Sequence, residues 1–221
     1  MKNRIIGNLI VFAMGLLSSQ AVRAQGTLYV SSLGSPSAGA EAVGSDSSLA
    51  AIFATGSNPG GYALDSIQLA MAPASGTPHG FTVTLCSASV FAGAAPGASL
   101  GTLSGESDPV TGGVLTYTAS DLMLSPSTMY YVVLTAETAI ASGAYAWSVE
   151  NSQPPAANGG WSASDYLITS SGGPFWEPIF TTPQYSITAA AVPEPGVFIL
   201  LSCSGLFFIV WKVWRPQRSQ T

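Results

Sequence analysis

The chain has 221 residues, six Lys and Arg against eleven Asp and Glu, and a formal net charge of −5 at pH 7. All six basic residues sit in the two end segments (Lys2, Arg4, Arg23, Lys212, Arg215, Arg218), and every carboxylate falls between Glu41 and Glu194. A middle without Lys or Arg cannot neutralise phosphates, which excludes nucleic acid as a partner, and it fits a chain threaded out of a cell with its basic residues retained inside.

Residues 1–24 open with Lys2 and Arg4, continue through an apolar run from Leu9 to Leu17, and end in Val22-Arg23-Ala24. These are the three parts of a secretory signal peptide, with an apolar run too short to span a bilayer alone. The expectation is entry into the Sec export machinery and cleavage by signal peptidase between Ala24 and Gln25.

From residue 25 to 191 the chain is rich in Gly, Ser, Ala and Thr and broken into short apolar runs, enough for one domain. Strands are predicted over 27–31, 50–55, 62–71, 80–86, 114–118, 129–135, 144–150 and 184–189. In Phe81-Thr82-Val83-Thr84-Leu85 and in Ser66-Ile67-Gln68-Leu69-Ala70-Met71 apolar and polar residues alternate, so each strand buries one face. Turns are predicted at Ser57-Asn58-Pro59-Gly60-Gly61, Ala95-Pro96-Gly97, Thr111-Gly112-Gly113, Asn158-Gly159-Gly160 and Ser171-Gly172-Gly173-Pro174. Ala119 to Leu124 offers at most one helical turn. The fold expected is all-β, an antiparallel β-sandwich of jelly-roll type.

Five segments in succession carry a resemblance: Tyr62-Ala63-Leu64-Asp65-Ser66-Ile67, Phe81 to Leu85, Pro96 to Leu100, Leu124 to Leu134 and Tyr145-Ala146-Trp147. Together they resemble the choice-of-anchor domains, nearest to the R type, over roughly residues 48–188. The resemblance implies a bacterial extracellular β domain of undefined role, found with different C-terminal anchors.

Catalytic and metal-binding groups are sparse in this region. The single histidine, His79, stands in the turn Thr77-Pro78-His79-Gly80 without a Gly-x-Ser-x-Gly nucleophile elbow, so a hydrolase is the weaker reading. One His and one Cys cannot make a zinc site, and the turn acids Asp46, Glu106, Asp108 and Asp165 lack the regular spacing of a calcium loop. No cofactor is expected. Cys86 reads as a small buried hydrophobe; Cys203 belongs to the apolar C-terminal run, so the two do not pair. Of the late aromatics, Tyr145 and Trp147 share a strand face, whereas Trp161 after Gly159-Gly160 and Trp176 after Pro174 are expected to be the exposed pair. As such they would be candidates for stacking on sugar rings of an exopolysaccharide.

The last thirty residues, 192–221, begin with Val192-Pro193-Glu194-Pro195, where two prolines favour extended, accessible backbone. An uncharged run follows from Gly196 to Trp211. Extended to Trp214, with Lys212 snorkelling, it makes a transmembrane helix of roughly 28 Å. Arg215 and Arg218 mark the cytoplasmic side. Pro-Glu-Pro, one span and a short basic tail, in that order, resemble the PEP-CTERM sorting signal of Gram-negative bacteria. That resemblance implies recognition by an exosortase, an integral membrane cysteine protease, and cutting near Pro-Glu-Pro. A plain single-pass anchor with a proline-rich linker is the other reading of the same residues.

The function expected is thus that of an exported, non-enzymatic protein of the cell surface or extracellular matrix. It is first anchored in the inner membrane and then processed. A glycan-binding module of the exopolysaccharide matrix is the alternative.

Overall fold

The computed structural model describes residues 26–89, 95–151, 154–171 and 175–194. Among them fifteen strands and no helix are formed. In chain order the strands are β1 (Thr27–Ser31), β2 (Gly39–Val43), β3 (Ser48–Ala54), β4 (Tyr62–Gly76), β5 (Thr82–Ala88), β6 (Pro96–Thr102), β7 (Gly113–Thr118) and β8 (Met123–Leu124). They continue with β9 (Met129–Thr135), β10 (Gly143–Glu150), β11 (Ala156–Ala157), β12 (Ser162–Ser170), β13 (Glu177–Ile179), β14 (Thr182–Pro183) and β15 (Tyr185–Ala191). The signal peptide expected at 1–24 and the span expected at 196–214 lie outside the described residues, in which no helix is long and apolar enough to cross a membrane.

All pairings are antiparallel, in two sheets. The first runs β11-β1-β15-β4-β10-β14, with β2 beside β10 and with β7 and β8 beside β4; the second runs β13-β12-β3-β9-β5-β6. One hydrophobic cluster joins them: Ile67, Leu69, Tyr145, Trp147 and Ile187 from the first sheet meet Leu49, Phe53, Val83, Leu85, Val132 and Leu134 from the second. Pairing across strands keeps the backbone donors satisfied while alternate side chains fill the space between the sheets.

The alternation read from the sequence is realised in β5, where Val83 and Leu85 are buried and Thr82 is exposed. In β4 it holds on either side of Asp65 but not through it. Leu64 pairs with Ala189 and Ser66 with Thr188, so Asp65 is an extra residue on this strand. Such a bulge shifts the pleat by one position, which is why Leu64 and Ile67, three apart, both face the core.

Strands β3 and β9 are buried on both faces. Leu49, Ala51, Phe53, Tyr130, Val132 and Leu134 point into the main core, while Ala50, Ile52, Tyr131 and Val133 form a second cluster with Cys86 on the other side of the sheet. Trp176, half-buried, packs over that second cluster. A strand covered on both sides reads as a continuous apolar run, as Tyr130 to Leu134 does.

Several elements differ from the sequence expectation. Ala119 to Leu124 is a bend leading into β8, not a helical turn, and Asp121 there takes a positive φ of 56°. Pro96 and Gly97, expected in a turn, begin β6. Asp165, expected in a turn, lies within β12. The predicted Gly turns at 111–113 and 158–160 are present, with Gly112, Gly113, Gly159 and Gly160 all at positive φ.

Candidate processing site and its surroundings

Strand β15 lies between β1 and β4, and it delivers the chain to Val192. Thr27, at the start of β1, pairs with Ala189, and Ala191, at the end of β15, pairs with Tyr62. Both ends of the described chain therefore leave from adjacent strands at one pole of the first sheet. Val192 is half-buried, and Pro193 and Glu194 beyond it are exposed and outside any strand. Proline cannot donate to a ladder, so β15 stops where Pro193 begins. Pro195 lies outside the described residues, as do Ala24, Gln25, Lys212, Arg215 and Arg218.

The exit point is held by the Ser57–Gly61 turn. The Val192 amide donates to the Gly61 carbonyl at 3.0 Å. The Asn58 side-chain amide donates to the carbonyls of Gly61 at 2.5 Å and of Val192 at 2.9 Å. The Asn58 backbone amide is turned to the Tyr62 hydroxyl at 3.3 Å, which ties the turn to the core. Gly60 permits the approach: a Cβ there would stand 2.2 Å from the Val192 carbonyl oxygen. Gly61, at φ +71°, is equally confined, since a Cβ there would stand 2.4 Å from the Leu124 carbonyl oxygen. The turn was legible in the sequence; its partner, 134 residues away from Asn58, was not.

Trp161 and Trp176 correct the expectation of an exposed aromatic pair. Trp161 is only 5% exposed. Its ring stacks on Tyr29 (4.6 Å between centroids, 10° between planes) and lies parallel to Phe53 at 5.8 Å, with Tyr62 edge-on at 4.9 Å. Trp176 belongs to the opposite face of the second sheet, against Ala50, Ile52, Cys86, Tyr131 and Val133. Two tryptophans on opposite faces of one sheet cannot share a platform. Among the described residues the strongly exposed aromatics, at 81% and 84%, are Phe175 and Phe180. Phe175 lines a surface pocket with Thr169, Ser171 and Glu177.

Several of the titratable groups have partners within the fold. His79 is exposed and lies 3.3 Å from the Glu137 carboxylate, which is also exposed, so the pair is solvent-screened. Asp46 accepts from the Ile140 amide at 2.8 Å, and Glu106 accepts from the Asp108 amide at 3.1 Å. Asp108 accepts from the Tyr145 hydroxyl at 2.7 Å. Among the described residues no three His, Cys, Asp or Glu side chains are grouped to hold a metal ion. Burial pushes the Cys86 thiol and the Tyr117, Tyr145 and Tyr185 phenols above their usual values. For Tyr145 the hydrogen bond to Asp108 and that carboxylate's charge add to the effect of burial.

The chain matches no family model and no curated protein.

Proposed function

We propose that this chain is an exported, non-enzymatic surface or matrix protein, and that its C-terminal segment is the substrate of an exosortase-type membrane peptidase. In this reading the fold is a jelly-roll-like β-sandwich of the choice-of-anchor kind. Residues 1–24 are removed between Ala24 and Gln25 after Sec-dependent export, and Lys212, Arg215 and Arg218 keep the tail cytoplasmic while a helix at about 196–214 holds the precursor in the inner membrane. Val192, Pro193, Glu194 and Pro195 are then read at the outer face.

The observation that carries the proposal is the exit of the chain. Pro193 and Glu194 emerge exposed directly after the last strand, at the pole from which the N-terminus also leaves. A peptidase grips extended backbone, and the two prolines disfavour any regular structure that would withdraw it. The charge map supports the same topology, because every Lys and Arg lies in an end segment.

The test follows the tail. An epitope placed after Thr221 should separate from the domain in cells that carry the peptidase and remain attached in cells that lack it. Retention in both would leave a plain single-span anchor.

A second reading, contact with exopolysaccharide, is favoured by the exposed Phe175 ring in a surface pocket with Glu177, Thr169 and Ser171. An exposed ring beside a carboxylate and hydroxyls suits the apolar face and the hydroxyl rim of a sugar.

A further inference from the structure

We infer that Asn58 is a positioning residue for this processing: it fixes Val192, the first residue of the motif, to the domain, so that the cut falls on the C-terminal side of Val192. The inference rests on the processing reading above.

Without a clamp, the end of β15 would be a natural place for fraying, since terminal ladder bonds open most readily. A peptidase pulling on an extended chain would then draw Ala190 and Ala191 out of the sheet. Cutting there would remove the strand end that pairs with Tyr62 and Ala63 of β4. Three hydrogen bonds oppose this: Val192 amide to Gly61, and the Asn58 amide to both Gly61 and Val192. A single side chain thus gathers two carbonyls, one from the turn and one from the exit, and satisfies acceptors that lie just past the last ladder pair.

The turn is itself anchored. Asn58 meets the hydroxyl of Tyr62, and Tyr62 packs edge-on against Tyr29 at 5.3 Å and Trp161 at 4.9 Å. Force applied to Val192 is transmitted to the aromatic end of the core rather than to β15 alone. Gly60 lets the two backbones meet, because any side chain there would displace Val192. Cleavage is hydrolysis in this account: water adds across a peptide C–N bond, leaving a carboxylate on the domain and an amine on the tail.

The experiment uses the full chain in its native host, as wild type, Asn58→Ala and Asn58→Asp. The aspartate variant keeps the size of the side chain but replaces the donor with a carboxylate facing two carbonyls. Two quantities are read: the C-terminal residue of the released domain by intact mass, and hydrogen exchange at the Val192 amide of the unprocessed precursor. Wild type should give one C-terminus beyond Val192. Both variants should give additional termini at or before Val192, with Val192 exchange faster by roughly fivefold or more. Thermal unfolding and near-ultraviolet dichroism identify a variant that has lost the fold, and the aspartate variant then decides. The same single terminus in wild type and variants overturns the positioning role while leaving processing intact. A wild-type chain that keeps Thr221 overturns processing and the role with it, and unchanged Val192 exchange in the variants would show that the clamp itself is absent.

Discussion

The Trp161 indole lies flat on the Tyr29 ring, 4.6 Å apart and 10° from parallel, joining the loop after β11 to the first strand of the domain. Phe53 lies parallel to the indole at 5.8 Å, and Tyr62 meets it edge-on. These four rings close the end of the core at the pole where both chain ends leave. Trp161→Ala should destabilise the domain by about 3–5 kcal/mol, the range for removing a buried aromatic. Trp176→Ala, which uncovers a smaller cluster from a half-buried position, should cost less. Urea unfolding of the two variants checks the order.

A glycan-contact role would now rest on Phe175. Phe175→Ala should leave stability within about 0.5 kcal/mol of wild type, as expected for an exposed side chain. If sugar stacks there, the same change should abolish retention on the exopolysaccharide of the host. Equal retention of wild type and variant would end that reading.

Stability should fall in alkali. Tyr117, Tyr145 and Tyr185 have raised pKa values in the folded state, from burial first. Above about pH 10 the unfolded chain loses these protons while the folded domain keeps them, so the unfolded state binds fewer protons. The stabilisation is complete below about pH 10 and declines above it, by about 1.4 kcal/mol per pH unit for each tyrosine. Denaturant midpoints measured from pH 8 to 11 should be level and then drop. Flat midpoints to pH 11 would contradict the burial of these phenols.

Tyr145→Phe separates two contributions. It removes the hydrogen bond to the exposed Asp108, costing about 1 kcal/mol at neutral pH. It also removes one of the four phenols held above their usual pKa in the folded state, Tyr29, Tyr117, Tyr145 and Tyr185, so the alkaline slope should become shallower. Paired titrations of wild type and variant read both effects.

Much of the sheet was legible because burial imposed a period on it. Met129 to Thr135 appears as a strand with the same bounds in the sequence reading and in the structure. Phe81, Val83 and Leu85 face the core as their alternation implies. Strand β6 escaped notice because it is a largely exposed edge built from Pro, Gly, Ala and Ser, where no side chain needs to face inward. In β12 the register shifts between Ala163 and Leu167, which breaks the period that would have marked it.

The site was half legible. The extended Val192-Pro193-Glu194 exit follows from proline chemistry and is local. Its clamp and the burial of Trp161 depend on partners far along the chain. Two glycines before Trp161 suggested an exposed loop, but the indole immediately before β12 stacks on both Phe53 and Tyr29. Local pattern marks where a chain turns; it does not say what the turn will meet.

Release of the domain by cutting at its exit leaves a definite terminus. Intact mass and terminal sequencing of the protein from membrane and extracellular fractions of its host test it most directly. Processing should give an extracellular species that begins at Gln25 and ends near Pro195, beyond Val192. A species ending at Thr221, confined to the membrane, would contradict it.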